Sequence, residues 1–135
     1  MSARGPLSLT TKARLAARIC ATFLLVHWRL RRAPLPLVVR SFGSPNGDGQ
    51  QRVEARRLSR IVHGTLHIGP FRPRCLVNAL VLFRLLRAQG DPAELVIGLP
   101  HEPRDEEAHA WVEIQQVDVG PPPGKGSHEE LARFG

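Results

Sequence analysis

The sequence is poor in the residues that build disulfide frameworks and metal sites. It contains two cysteines, Cys20 and Cys75, and neither a CxxC nor an HExxH motif in 135 residues. This excludes a disulfide-stapled secreted scaffold, because such small domains are rich in paired cysteines. It also excludes a zinc site with the usual ligand spacing. We therefore expect a protein of a reducing compartment, the cytoplasm, that binds no metal and no organic cofactor.

Long hydrophobic runs are missing as well. The stretch that looks most like an anchor, residues 19–28, is followed by Arg29, Arg31 and Arg32. A membrane-spanning helix needs about 20 apolar residues, and a secretory signal would continue into small residues at a cleavage site. We expect a buried amphipathic helix here, without stable insertion into a membrane.

Acidic residues are scarce in the first half of the chain, and aromatic residues are scarce throughout. Residues 1–60 hold 12 Lys/Arg against 2 Asp/Glu, whereas residues 61–135 hold 7 against 10, and Tyr is absent. A basic segment can attract nucleic acid, an anionic membrane surface or an acidic peptide. A solvated, arginine-rich helix surface is the alternative without a function. Nucleic acid is disfavoured, because no aromatic residues are interleaved with the arginines.

The pattern of apolar residues predicts helices followed by a small antiparallel sheet, the α+β class. Residues 1–50 are expected to contain a first helix over 11–32, ended by the two prolines that follow it, and a Gly/Pro-rich loop over 41–50. Residues 51–135 form the core and are expected to make one compact domain with that helix. The predicted elements of the core are helices over 51–63 and 75–89, strands over 93–99, 108–114 and 117–119, and a closing helix over 128–134.

Cys75 begins the predicted helix with the broadest apolar surface, directly after Arg72 and Arg74. A thiol at a helix start meets unpaired backbone N–H groups and the positive end of the helix dipole. Both favour the thiolate, as do two neighbouring guanidinium groups, so we expect a lowered pKa of this thiol. The alternative is a buried cysteine without chemistry, which is our interpretation of Cys20 beside the core residues of the first helix.

His109 lies on the predicted strand 108–114, on the face opposite Val112 and Ile114. A cysteine at a helix start and a histidine on a strand packed against it are similar to the layout of papain-like and transglutaminase-like thiol enzymes. There the imidazole removes and returns a proton while the thiolate attacks an acyl carbon. A surface histidine, or one satisfied within a core, is the alternative.

Five short motifs occur in an order that makes this likeness more specific. They are Cys-Leu at the helix start, an Ala-Leu pair, Leu-Leu-Arg before Gly90, Ile-Gly in the next strand and His-Ala-Trp-Val-Glu in the strand after it. Over residues 53–119 they resemble the transglutaminase-like domain of lasso-peptide leader peptidases, the microcin-processing type. The first 50 residues share only a helical, arginine-rich character with that family. The resemblance implies a transglutaminase/papain-like core, with the helix of Cys75 packed on the sheet.

The same resemblance implies an activity and its partners. A family member is a cytoplasmic cysteine peptidase that cuts the leader from a ribosomally made precursor peptide. It works with a small leader-recognition protein and a separate ATP-dependent cyclase that closes the lasso ring. Carried over to this chain, Cys75 is the nucleophile and His109 is the general base and acid.

A carboxylate on the strand after the histidine is also expected from the family, where it holds the imidazole tautomer. If residues 115–116 form a two-residue turn, Asp118 pairs with Glu113 and shares the face of His109. It then lies four residues along that face, about 13 Å by strand rise. Asp118 is assigned as the third catalytic residue because no other carboxylate fits the following strand. Glu113 and Asp105 are weaker alternatives.

Three further interpretations stay open. The first keeps the pair of Cys75 and His109 but changes the reaction to acyl transfer or amide hydrolysis on another peptide. The second is a non-catalytic peptide-binding module, which the displaced Asp118 favours. The third is a nucleic-acid-binding protein. In the leading interpretation the basic first half helps to hold an acidic leader or partner.

Overall fold

Helices come first and strands follow in the structure, a computed structural model that describes residues 9–42, 53–66, 75–100, 109–120 and 128–134. The elements are, in chain order, α1 (Leu9–Arg32), α2 (Leu35–Ser41), α3 (Ala55–Leu66), α4 (Cys75–Ala88), β1 (Ala93–Pro100), β2 (His109–Ile114), β3 (Val117–Gly120) and β4 (His128–Phe134). Helices α3 and α4 pack on one antiparallel sheet, and α1 packs on these two helices. The predicted α+β class is therefore confirmed.

Helix α1 is held to the core by a stripe of residues three or four positions apart. Leu15, Ile19, Thr22 and Val26 are buried, as expected for one face of an amphipathic helix. Cys20 is exposed, so its interpretation as a buried core residue is wrong. The reason is the helical period, because one step from Ile19 turns the side chain about 100° away from the core. Within the described ranges, no helix has the length and apolarity needed to cross a membrane.

A short helix that the sequence pattern did not predict follows α1. Pro34 is the residue before α2, and Pro36 lies in its first turn. Proline is tolerated there because the first N–H groups of a helix have no partner within it. The prolines that end α1 therefore also begin α2. In α2, Val38 and Val39 are buried.

Helix α3 begins with a carboxylate cap. Glu54 accepts hydrogen bonds from the backbone N–H groups of Arg56 (3.1 Å) and Arg57 (3.0 Å), two donors that a helix start leaves unpaired. The N–H of Arg56 contributes most to lowering the pKa of Glu54, and the N–H of Arg57 and the charge of Arg60 lower it further. The helix begins later than predicted because this cap fixes its start; positions 51–52 of the predicted helix lie outside the described residues.

Helix α4 is the centre of the molecule. Residues 79–83 and Leu86 are at most 1% exposed, and the helix packs against α1, α3, β1 and β2. A helix that is apolar on so much of its circumference belongs in the interior. It ends at the predicted Gly90, whose φ of 98° is the left-handed conformation that terminates helices.

The sheet has the strand order β3-β2-β1-β4, and all neighbouring strands are antiparallel. Leu95 of β1 pairs with Val112 of β2 and with Phe134 of β4. These three side chains share the face that joins the helix-lined core. Gln115 and Gln116 form the expected two-residue turn with φ values of 51° and 68°, a backbone typical of tight hairpins.

Strand β4 shows that the predicted closing helix is wrong. Residues 128–134 pair with β1, with a bulge after Ile97. Phe134 packs against the core, whereas the adjacent Arg133 lies on the other face and donates to Glu113 at 3.0 Å. This alternation and the pairing with the edge of β1 outweigh the local helix preference of the Glu-Glu-Leu-Ala sequence.

Candidate active site

The residue assigned as nucleophile begins the central helix. Cys75 is the first residue of α4, where unpaired N–H groups and the helix dipole favour a negative charge. The structure describes its backbone and not its side chain, and Arg72 and Arg74 lie outside the described residues. Because α4 packs directly on β2, the elements that carry the predicted thiol and imidazole are neighbours. The contact between the two groups stays a prediction.

A second imidazole lies beside the first turn of α4. Asn78, which is 4% exposed, follows Cys75 by three residues and so lies on the same side of the helix. Its Nδ2 atom is 3.4 Å from Nδ1 of His63 on α3, a distance at which the amide donates to an unprotonated ring nitrogen. Nothing in the spacing of His63 along its helix indicated this position. Only the packing of α3 against α4 reveals it.

His109 is the first residue of β2 and is half-buried, with its Nδ1 atom enclosed. It pairs with Gly98 of β1 and shares a strand face with Trp111 and Glu113, since side chains alternate along a strand. The opposite face, which carries Val112, packs into the helix-lined core. A contact between His109 and a group on α4 therefore has to form around the end of β2 rather than across the sheet.

The indole of Trp111 forms a fixed wall on this face. The side chain is 1% exposed, and a Cβ at Gly98 would lie 2.6 Å from its Cη2 atom and 2.7 Å from the backbone oxygen of Glu129. Real Cβ atoms do not approach other atoms that closely, so the ring requires glycine at this position. Because Gly98 is the strand partner of His109, the indole covers the position directly beside the histidine.

A buried carboxylate fixes that indole. Glu113, which is 1% exposed, accepts the Nε1–H of Trp111 at 2.8 Å and a hydrogen bond from Arg133 at 3.0 Å. Arg133 also contacts Glu94 (3.1 Å) and Glu130 (2.7 Å), and the hydrogen bond to Glu130 contributes most to raising its pKa. In the described ranges no group of three or more His, Cys, Asp or Glu is arranged to hold a metal ion.

Asp118 is not brought beside His109. It pairs with Glu113 across the β2–β3 hairpin, four residues along the strand from His109, or about 13 Å. Its Oδ1 atom accepts the backbone N–H of Gly120 at 2.7 Å. A bulge in β3 changes the register, so that Val112 pairs with Gly120. The bulge lies after Asp118 in the chain, so it does not bring Asp118 closer to His109. Asp105, the other alternative, lies outside the described residues.

Comparison with protein families identifies the class of the protein. A sequence model of the transglutaminase-like superfamily matches residues 17–133, and this chain belongs to that superfamily. Its members are commonly cysteine peptidases or acyltransferases. No curated protein and no solved structure matches the chain. The match begins within α1, upstream of the resemblance over 53–119, so the matched unit includes the greater part of α1 and all of α2.

Proposed function

We propose that the protein is a cysteine peptidase that removes the leader from a ribosomally made lasso precursor peptide. The proposal is supported by the superfamily match. It is supported separately by the structure, in which Cys75 begins the central helix and His109 begins a strand of the sheet on which that helix packs. The five motifs that resemble those of leader peptidases are the reason for proposing a leader peptide as the substrate. The proposed location is the cytoplasm, where a reactive thiol stays reduced.

In the proposed reaction His109 accepts the thiol proton of Cys75, and the thiolate attacks the carbonyl carbon of the scissile amide. The protonated imidazole then donates its proton to the leaving amine, which releases one peptide and leaves a thioester on Cys75. Water, deprotonated by the same imidazole, hydrolyses the thioester and restores the thiol. A backbone N–H at the start of α4 is the proposed donor to the oxyanion.

Asp118 is the proposed third residue of this site, acting at a distance. A carboxylate about 13 Å from the imidazole cannot hold its tautomer by a direct hydrogen bond. In this proposal it fixes the end of β3 through the N–H of Gly120 and thereby supports the neighbouring strand that carries His109. Its contribution to the reaction is smaller than that of a carboxylate bonded to the ring.

The proposed partners follow from the same assignment. A small leader-recognition protein presents the leader of the precursor peptide, and an ATP-dependent cyclase closes the ring after cleavage. No cofactor takes part, because thiolate attack and proton transfer need only the two side chains and water.

A non-catalytic peptide-binding module is the second candidate, and one observation favours it. Asp118 lies opposite Glu113 rather than His109, which is the arrangement expected if the catalytic set is incomplete. An acyl-transfer enzyme with another peptide substrate uses the same thiol and imidazole, so the thiol experiment described next tests it as well. It differs from a peptidase in the group that accepts the acyl chain.

The first experiment is alkylation of the folded protein by iodoacetamide between pH 5 and pH 9, with peptide masses that assign each modified thiol. Cys20 is exposed on α1, and its alkylation in the same sample provides an internal reference for that of Cys75. We expect Cys75 to react well below pH 8 and His109→Ala to remove that low-pH reactivity. The Cys20→Ser variant repeats the profile with a single thiol.

Either result has a clear meaning. Low-pH reactivity that depends on His109 supports the thiolate–imidazole pair and justifies cleavage assays with candidate precursor peptides. If Cys75 is alkylated with the same pH profile as Cys20, whether or not His109 is present, the result contradicts the peptidase and supports the binding module.

A further inference from the structure

A narrow groove between α1 and α4 combines arginines with apolar side chains. Arg18, Thr22 and Leu25 of α1 and Arg84 and Leu85 of α4 line a cavity of about 310 Å³, which we call the arginine groove. This volume is at the lower end of the range for ligand sites. It fits one or two side chains of a partner rather than a folded surface.

Positive charges converge on the arginine groove. The guanidinium carbons of Arg84 and Arg29 lie 5.1 and 5.8 Å from the centroid of the same ring, that of Phe42. Burial is the largest cause of the lowered pKa of Arg84, and the charges of Arg29 and Arg18 lower it further. Like charges held together in a partly buried place repel one another, and a bound anion relieves that repulsion.

The helices that form and flank the groove provide no anion of their own. α1, α2 and α4 contain nine Lys/Arg and no Asp or Glu. The carboxylates of the described strands lie in the sheet instead, five of them against a single arginine. The groove is therefore complementary to a negatively charged ligand from outside these three helices.

The lining indicates which kind of anion fits. A planar guanidinium matches a carboxylate in a two-point hydrogen bond, and the hydroxyl of Thr22 adds a donor at the same place. Leu25 and Leu85 provide apolar surface between the charges. Together they suit a carboxylate side chain flanked by aliphatic residues of an extended peptide.

Nucleic acid fits this surface less well, because bases need accessible aromatic rings for stacking. The ring of Phe42 already carries two guanidinium groups. Arg32 lies 4.8 Å from the centroid of Trp28, and Phe23 stacks with His27 at 6.0 Å. Each of these three aromatic rings is therefore in contact with a guanidinium group or another ring of this chain.

We propose that the arginine groove binds an acidic, aliphatic segment of a polypeptide, with carboxylates on Arg18 and Arg84. In its choice of a polypeptide ligand this inference rests on the proposed peptidase function. The groove lies between α1 and α4, away from β2, so it holds a part of the ligand that is distant from the bond that is cut.

The test is fluorescence anisotropy with the full chain carrying Cys75→Ala, which prevents cleavage. The probe is a fluorescein-labelled peptide of repeated Glu-Leu-Ala units, with a Gln-Leu-Ala peptide as its uncharged counterpart. We expect Arg18→Gln combined with Arg84→Gln to weaken binding of the Glu peptide by about tenfold or more. The control is Arg31→Gln combined with Arg60→Gln, which removes two positive charges from exposed positions outside the groove. We expect this control to change binding of the Glu peptide by about twofold or less.

Three results would overturn the inference: equal loss in the two double variants, equal affinity for the uncharged peptide, or tighter and equally groove-dependent binding of a single-stranded oligonucleotide or of vesicles containing phosphatidylserine. If the glutamine double variant melts below the parent, the Arg18→Lys and Arg84→Lys pair replaces it. Lysine keeps the charge but not the two-point geometry, so we expect intermediate weakening, and unchanged binding contradicts the two-point contact.

The two proposals fail separately. Groove-dependent peptide binding together with an ordinary Cys75 thiol contradicts the peptidase and leaves the groove assigned. A reactive, His109-dependent thiol together with no peptide binding contradicts the groove and leaves the peptidase assigned.

Discussion

At the scale of single residues, Gly98 on β1 is enclosed by the indole of Trp111 on β2 and by the backbone of β4. The indole lies where a Cβ of residue 98 would be, and the backbone oxygen of Glu129 on β4 closes the same space from the other side. Glu113 holds the indole by a hydrogen bond of 2.8 Å. The packing of the indole beside His109 therefore depends on glycine, which has no Cβ atom, at position 98.

We expect Gly98→Ala to lower the free energy of unfolding by about 1–3 kcal/mol, because the added methyl group overpacks this contact. Gly64→Ala is the matched control. Nothing lies within 4 Å of a Cβ at Gly64, and alanine in a helix interior is favoured over glycine by about 0.5–1 kcal/mol. Urea denaturation measures both variants; a Gly98→Ala protein as stable as the parent contradicts the contact.

Asp118 and His109 are expected to differ strongly in their effect on the thiol. Asp118→Asn should leave the pH profile of Cys75 alkylation within about twofold of the parent, because the carboxylate is about 13 Å along the strand from the imidazole. His109→Ala should remove the reactivity below pH 8. A loss of low-pH reactivity in Asp118→Asn as large as that in His109→Ala would show that the carboxylate acts directly on the ring.

Local patterns in the sequence predicted the elements that carry the candidate residues Cys75 and His109, whereas neighbours that depend on packing were not predicted. Cys75 begins the predicted helix, and His109, expected within a strand over 108–114, is the first residue of β2. An apolar run and an alternating pattern mark these two elements in the sequence. His63 has no such local signal, and its place beside Asn78 depends on how α3 packs on α4. Cys20 was assigned to the wrong face by a single helical step.

At the scale of elements, α3 depends on its cap. Glu54 has a lowered pKa in the folded protein, so its charge stabilises the fold above the ordinary pKa of a glutamate, about 4.3. That stability is lost as the pH falls through the lower pKa of the folded state.

We therefore expect Glu54→Gln to lower the free energy of unfolding at pH 7 by about 0.3–1 kcal/mol, the range for a charged group at a helix start. The value should lie towards the lower end, because the side chain is exposed and solvent screens its charge. The difference from the parent should vanish in acid below the pKa of the folded state. Denaturant titrations at a series of pH values measure it, with Glu129→Gln, an exposed change on β4, as the control. A loss that is the same at every pH contradicts the role of the charge.

Strand β4 is fastened to β2 across β1 by the pair of Arg133 and Glu113. Removing one partner of a buried ion pair leaves the other charge poorly compensated. We expect Glu113→Gln to destabilise the protein by about 1–3 kcal/mol and to speed amide hydrogen exchange in β4. Glu130 contacts the same guanidinium group from its exposed side. We therefore expect Glu130→Gln to lower the free energy of unfolding by about 1 kcal/mol or less. Equal effects of the two variants would contradict the importance of the buried contact.

The elements that the sequence predicted correctly are those with strong periodicity. α4 and the first three strands have continuous apolar stripes or alternation, and their bounds agree with the structure within one or two residues at most ends. α2 was missed because prolines both end and begin helices. β4 was predicted as a helix because its Glu-Glu-Leu-Ala residues favour helix locally, whereas pairing with β1 is a long-range effect that its own sequence does not show.

At the scale of the whole molecule, charge is divided between the two layers. α1, α2 and α4 are purely basic, and the strands carry five acidic residues and one arginine. Repulsion within the helix layer opposes folding and is screened by salt. We expect the melting temperature to rise from low to high sodium chloride, and to rise less in the Arg18→Gln, Arg84→Gln double variant. If the melting temperature of both proteins rises equally with salt, the repulsion is not centred on Arg18 and Arg84.

The strand order also predicts the order in which the strands join the sheet during folding and leave it during opening. Paired residues of β1 and β2 lie 11 to 21 positions apart in the chain. Paired residues of β1 and β4 lie 28 to 39 positions apart, because the chain first passes through β2 and β3. Closing the longer loop costs more entropy and slows the step. We expect β4 to dock last and to leave first, so the earliest opening of the native protein frees the second edge of β1 while α4, β1 and β2 stay together.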